Sequence, residues 1–226
     1  MDDFRSLLNA LQYGDSFFPS GSVSFSWGLE AMVGSGLLTR PEDVRDFVIG
    51  QLWARWACFD RTIVGSAHRI ANDLAVVSEI DELVECMSPA AALRHGSRRM
   101  GDAMLSVFQR LGSEAATGYR ERQRTTRAPG HIAVMQGLLW AEAGLSETAA
   151  LALSAHTFCT SLVSAGLRLG CLTHISAQKL LAAARAEAAL IADQPMAPLS
   201  DLSSYGIEAE IAIMRHASQE LRLFAN

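Results

Sequence analysis

Between Thr148 and Leu167 lie twenty consecutive residues without a formal charge, the length of a membrane span. Such a segment belongs either in lipid or at the centre of a helical bundle. Thr148, Ser154, His156, Thr157, Thr160, Ser161 and Ser164 place seven polar groups in it. Hydrocarbon leaves such groups without partners, whereas a bundle helix satisfies them internally. The segment therefore reads as a central core helix, capped by Ser146, with a small-residue ridge at Thr157, Ser161 and Ala165. No membrane partner is expected, and the expected location is the cytoplasm.

The rest of the chain repeats the helical period. Phe4, Leu7, Leu8 and Leu11 mark a short amphipathic helix ending at Gly14. Thr39 to Glu42 reads as a capping box with Pro41 in the first turn. The stripe Val44, Phe47, Val48, Leu52, Trp56 and Phe59 predicts a long central helix to about Asn72, broken or bent near Gly65. Ser78 to Asp81 and Ser88-Pro89 read as further helix starts, the second leading to Leu93, Met100, Met104, Leu105, Phe108 and Leu111. Residues 112–130 lose the period and predict a solvated or mobile connection. Helices follow over Ile132 to Ala143 and Gln178 to Ala192, with Gly166 and Gly170 marking a close contact or a termination between them. Gln194 to Gly206, with Pro195 and Pro198, reads as irregular, and a last helix covers Ile207 to about Leu221. No strand is well supported and no repeat appears. The expected class is all-α, one domain over residues 1–226 built as a bundle of about eight to ten helices.

Composition narrows the function. Half the residues are apolar, 19% are charged and the mean hydropathy is +0.16, which predicts apolar surface covered by association. A net charge of −5 argues against nucleic acid. Cys58, Cys86, Cys159 and Cys171 form no CxxC pair and read as reduced, mostly buried thiols. His68, His95, His131, His156, His174 and His216 show no HxxxH or HExxH spacing, so no metal site is assigned, and His156 reads as a hydrogen-bonded core imidazole. Lys179 is the sole lysine, and GxxxxGK[ST], GxGxxG and GxSxG are missing; no catalytic residue and no cofactor is assigned. Arg120, Arg122, Arg124 and Arg127 read as a solvated loop, with an acidic partner face as the alternative.

One stretch is more distinctive than the rest. Asp15 to Glu30 reads DSFFPSGSVSFSWGLE. Pro19 fixes φ at about −65° and pushes Phe18 out of the helical region, while Gly21 permits a turn with positive φ. Beyond this corner, Val23, Phe25, Trp27 and Leu29 alternate with small or polar residues, the period of a strand. The competing stripe Phe25, Leu29, Met32 and Val33 reaches further and predicts a helix capped by Ser22 or Ser24 and broken at Gly34 and Gly36. FPSGSVSFSWGLE resembles the signature of the urease accessory protein F family, a loop (L/F)P-x-G-(S/A)-(F/Y) leading into a helix with S-x-GLE. Phe18, Pro19, Gly21, Ser22, Ser26, Gly28, Leu29 and Glu30 match, and Val23 departs. RHGSRRMGDAML is similar to the family's arginine-rich Met-Gly helix. RLGCLTHISAQKLL resembles its R-x-x-PLGQ-x-x-x-Q-x-x-L segment, with Cys171, Thr173 and His174 departing. IAIMRHASQELRLFAN resembles its tail, M-(R/Q)-HE-x-x-YSRLF, matching Met214, Arg215, His216, Arg222, Leu223 and Phe224.

The resemblance implies an all-helical, homodimeric, cytoplasmic chaperone for urease maturation that is not an enzyme. It would bridge the D-type (also called H-type) accessory protein and the G-type GTPase, and position the GTPase against apo-urease so that nickel incorporation is gated by GTP hydrolysis. Partner contacts carry over onto Phe18, Pro19, Gly21, Ser26, Gly28, Leu29, Glu30, Met214, Arg215, His216, Arg222 and Phe224. Residues 195–226 are then a partner-binding tail, separable from the core. The departures mark a divergent member. Two other readings stay open: a direct regulator of the partner GTPase acting through an arginine or Glu30, and a helical enzyme or small-ligand binder whose pocket is lined by buried His156 and Cys159.

Overall fold

The computed structural model describes residues 2–19, 25–203 and 206–216, with 2, 3, 207, 208, 215 and 216 described by their backbone alone. The chain is all-α, with no strand among the described residues. The α-helices are α1 (Asp2–Gly14), α2 (Leu29–Gly34), α3 (Pro41–Gln51), α4 (Arg61–Arg69), α5 (Leu74–Met87), α6 (Ala91–Arg110), α7 (Glu114–Thr126), α8 (Ile132–Glu142), α9 (Glu147–Arg168), α10 (His174–Ala192) and α11 (Ile207–His216). A π-helical stretch, Leu52–Asp60, joins α3 to α4, and a 3-10 turn, Leu199–Asp201, interrupts the irregular segment before α11. Two compact units emerge, Met1–Gly21 with Arg61–Pro89 and Ser97–Ser154, and Ser22–Asp60 with Ala90–Gly96 and Ala155–Asn226.

In the first unit α4 and α8 touch at backbone distance. A Cβ on Gly137 would lie 2.5 Å from the Val64 carbonyl oxygen, so only glycine permits the approach. The long central helix expected from sequence is not broken at Gly65, which is buried inside α4; its irregularity is the π-helical stretch, where Arg55 and Asp60 are both buried. A π-turn is wider than an α-turn and brings residues five apart nearer to one face, and Arg55 Nε lies 3.3 Å from Asp60 Oδ2. The helix expected to start at Ser78 begins earlier, because Asp73 caps it by accepting from the Ala75 and Val76 N–H groups. Ser78 and Asp81 are buried mid-helix instead.

Most of residues 112–130 form a helix, α7 (Glu114–Thr126), and not a mobile connection. Ser113 caps α7 by accepting from Ala116 N–H at 2.9 Å, and Glu142 accepts from Ser113 and from Ala115 N–H. The buried side is carried by Ala116 and Tyr119, too short an apolar stripe to show as a period. Tyr119 donates to Asp81 Oδ2 at 2.6 Å, and the same carboxylate accepts from the N–H groups of Gly130 and His131. His131 is fully buried; its Nδ1 lies 3.0 Å from Ser97 Oγ and its Nε2 2.9 Å from Glu85, which also pairs with Arg98. This network fastens the α7–α8 loop to α5 and α6. Burial pushes the Asp81 carboxyl up and the His131 imidazole down. Glu85 is held below its ordinary value: burial opposes that shift, and its hydrogen bonds to Arg98 and His131 outweigh it.

In the second unit α3 starts one residue later than its expected box. Arg40 is the N-cap, Pro41 opens the helix, and Asp43 accepts from the Thr39 and Arg40 N–H groups. The Arg40 side chain and those N–H groups hold the Asp43 carboxyl well below the usual carboxylate range. Thr173 and Ser176 form the box that starts α10 four residues before the expected Gln178. Trp53 donates to Glu187 at 2.9 Å, tying the π-helical stretch to α10. The thiols are free, but only Cys159 is buried; Cys58 and Cys171 are half-buried and Cys86 is exposed. α9 is the one described helix long and apolar enough to span a membrane, and 61% of its most apolar stretch is buried inside the chain.

Candidate partner-binding site

The aromatic corner lies in the second unit. Ser22, Val23 and Ser24 lie outside the described residues, and α2 begins only at Leu29, so Phe25 precedes the helix instead of lying on its stripe, as does Trp27. Two consecutive left-handed residues, Trp27 (φ 50°) and Gly28 (φ 89°), turn the chain into α2. A tryptophan in that region is uncommon, and its contacts hold it there. Its indole N–H donates to Ser161 Oγ at 3.1 Å, and Ser161 in turn donates to the Phe25 carbonyl at 3.3 Å. Phe158 and Phe25 pack on the ring at 5.3 and 5.4 Å between centroids, and the Arg55 guanidinium lies 4.7 Å from its centre. The ridge read from sequence on α9 therefore serves to receive Trp27 through Ser161.

Gly96, inside α6, holds the ring of Phe25: a Cβ there would lie 1.1 Å from Phe25 Cζ. This explains the first glycine of RHGSRRMGDAML. The second, Gly101, meets the Gly130 carbonyl oxygen, 1.9 Å from where its Cβ would stand. The stretch was singled out from sequence but the role of neither glycine was, although glycine inside a strong helical pattern is itself a signal of close approach.

The GLE motif and the tail helix meet here. A Cβ on Gly28 would stand 3.0 Å from Ile213 Cδ1, and α11 packs against α2. Ala31, Met32 and Ala212 form one buried cluster, joined by Leu38 and Phe47. Ala209 and Ile213 are buried as well, while Ile211 and Met214 face outward, Met214 at 51% exposure. α11 is therefore part of the packing of α2 and not a separable appendage, because its inner face replaces solvent over Gly28 and Met32. Beside this contact lies an open depression of about 580 Å³, bounded by Met32, Leu37, Leu38, Phe47 and Ala209, with Asp43 and Asp46 at its edge.

Ser26 and Leu29 are fully buried and Glu30 nearly so, so they shape this surface from within. Glu30 also faces Arg168 of the R-x-x-PLGQ-like segment: burial pulls the Arg168 guanidinium below its ordinary value and the Glu30 carboxylate opposes that shift. Phe18 belongs to the first unit, where its ring packs on Tyr13 at 5.2 Å and Phe108 at 5.8 Å, and Pro19 is exposed. Gly21, Arg222 and Phe224 lie outside the described residues, and Arg215 and His216 are placed in α11 by backbone alone.

His156 is not a core imidazole. It is exposed on α9 with Thr160 Oγ1 3.5 Å from its Nε2. Among the described residues the buried histidine is His131, which lies at the mouth of α8, where no apolar stripe pointed to it. Burial pushes the Cys159 thiol up to about 12, leaving it protonated and unreactive at neutral pH. A pocket lined by buried His156 and Cys159 is therefore not what these residues form. Among the described residues, no group of three or more His, Cys, Asp or Glu side chains converges on a point where a metal ion could sit.

Residues 38–185 match the UreF family model. A urease accessory protein UreF of Rhizobium leguminosarum bv. trifolii (strain WSM2304) is 27% identical across 98% of this chain and 97% of its own length. One of Trichodesmium erythraeum (strain IMS101) is 28% identical across 99% and 98%. Urease accessory protein UreF 1 of Brucella melitensis biotype 1 is 28% identical across 97% and 92%. The corner and the tail fall outside the span of the family model and inside these end-to-end alignments. With well over half of its length matched by the model, the chain belongs to the UreF family.

Proposed function

We propose that this chain is a non-catalytic accessory protein of urease maturation, and that it works as a scaffold. In that role a cytoplasmic homodimer bridges the D/H-type accessory protein and the G-type GTPase, and presents the GTPase to apo-urease so that GTP hydrolysis gates insertion of nickel. Nickel is cargo here and not a resident cofactor. The observation that carries the reading is the end-to-end alignment with relatives that bear the name urease accessory protein. The apolar surface of the chain supports it. Phe4, Leu7, Leu8 and Leu11 on α1 are 50–68% exposed and Phe17, just beyond it, is 94% exposed, an apolar face of the kind that marks an interaction surface.

The test is co-expression of urease structural subunits with the full accessory set, with and without this chain. The expected result is nickel-loaded, active urease only when the chain is present. Equal nickel content and activity in its absence would overturn the reading.

A further inference from the structure

The α7 arginines were expected to be a solvated loop, and the helix gives them an arrangement. Arg120 and Arg124 stand at i and i+4 on one face of α7, and Arg127 follows at its C-cap. With Arg98 of α6 they border an open depression of about 650 Å³ in the first unit, to which Asp102 and Gln123 also contribute.

The four guanidiniums are not equivalent. Arg120 is a structural post: its Nη1 donates to Asp102 Oδ1 and Gln123 Oε1 at 2.9 and 3.1 Å, and its Nη2 to the Asp102 carbonyl and Ser106 Oγ at 2.7 and 2.6 Å. Arg98 is held by Glu85 through one nitrogen, and Arg124 by Glu121 through one nitrogen. Arg127 is exposed, and no hydrogen bond or ion pair joins it to another described residue. It also closes α7 in the left-handed region, at φ 61°, a position usually taken by glycine. A guanidinium is thus kept at a strained cap beside the depression, with one acid on the lining against four cations.

We infer that this depression docks a helical segment of a protein partner whose carboxylates lie one turn apart. The depression of about 650 Å³ is larger than one phosphate group needs, and with Arg120 already paired to Asp102 the guanidiniums that match carboxylates one turn apart on a partner helix are those of Arg124 and Arg127. The chain's net charge of −5 and the lack of an aromatic side chain on the lining argue against nucleic acid. The inference is independent of whether the chain scaffolds a GTPase.

The probe is a labelled alanine-rich helical peptide with glutamates one turn apart, beside its glutamine and lysine counterparts, read by fluorescence anisotropy with the full chain. The glutamate peptide should bind at least about tenfold more tightly than the glutamine peptide, and lose that margin as salt rises. Arg124→Gln with Arg127→Asn should remove about tenfold of the affinity, with the far-ultraviolet circular dichroism unchanged; asparagine tolerates the left-handed cap. Arg124→Lys with Arg127→Lys should retain most of it. Equal affinity for the glutamate and glutamine peptides, or binding of the lysine peptide at least as tight, would overturn the inference without reference to any variant. Unchanged affinity in the glutamine–asparagine variant would do the same. Displacement by inorganic phosphate at concentrations equal to the peptide's would reassign the site to phosphate, and a change in the chain's own oligomeric mass in the variant would reassign it to a second copy; either would overturn the inference.

Discussion

Replacing Gly96 with alanine tests how the aromatic corner is held. On an open helix face the change stabilises by about 0.5–1 kcal/mol, because alanine loses less backbone freedom. Here the new Cβ would stand 1.1, 1.9 and 2.3 Å from Cζ, Cε2 and Cε1 of Phe25, a ring that is 1% exposed. No rotamer shift of tenths of an ångström relieves that, so the ring must leave its place, and the net cost is about 2–4 kcal/mol. Phe25→Leu removes the three clashing ring atoms and by itself costs about 1–1.5 kcal/mol. The double variant should therefore be more stable than Gly96→Ala alone by about 1–2 kcal/mol, a coupling far from additive. Urea unfolding followed by far-ultraviolet circular dichroism gives all four midpoints at constant m. A Gly96→Ala variant as stable as the parent, or a double variant equal to the sum of the singles, would refute the packing.

Three further outcomes follow from the same geometry. His131 is held neutral by burial among Asp81, Glu85 and Arg98, so its folded pKa lies below the ordinary 6.5. The unfolded chain then binds more protons, and this contribution to stability is full above about pH 6.5 and lost as pH falls below it. Buried Asp81, with its raised pKa, contributes the opposite slope: its share is full below the ordinary carboxylate value and lost as pH rises through the raised one. Urea melts between pH 7.5 and 5.5 should show the decline, and His131→Asn should flatten it; the same slope in the variant would count against the assignment. Arg127→Gly should raise stability by about 0.5–1 kcal/mol by relieving the left-handed cap while weakening the acidic peptide in the anisotropy assay, and a loss of stability would contradict the strain. Deleting α11 from Ile207 onward uncovers Gly28, Ala31 and Met32 and removes buried Ile213; stability should fall by about 2–4 kcal/mol, and an unchanged melting temperature would show that α11 does not pack there.

The helical class was legible because the elements that bury a face announce it. α1, α3, the start of α8 and the uncharged α9 all stand where their periods placed them. α7 was hidden because Ala116 and Tyr119 are its whole buried face and its remaining positions are polar or charged, so a helix fastened by hydrogen bonds looked like a loop. The π-helical stretch left no mark, since its widened turns depend on the packing of Arg55 and Asp60. Nothing local distinguished His131 from His156. The buried one is chosen by Ser97 and Glu85, which are distant in sequence, whereas His156 looked buried only because its neighbours carry no charge. In the site, the motif GLE and the tail helix were each visible, and that they pack on one another was not, because Gly28 meets Ile213 across most of the chain.

The scaffold role is tested most directly by mixing the purified chain with D/H-type accessory protein and G-type GTPase from one urease cluster and measuring mass by light scattering after gel filtration. A single species containing all three, formed only with this chain present and losing the D/H-type protein in Arg222→Ala with Phe224→Ala, is the expected result. D/H-type protein and GTPase that assemble equally well without the chain, or a chain that joins neither at micromolar concentration, would contradict it.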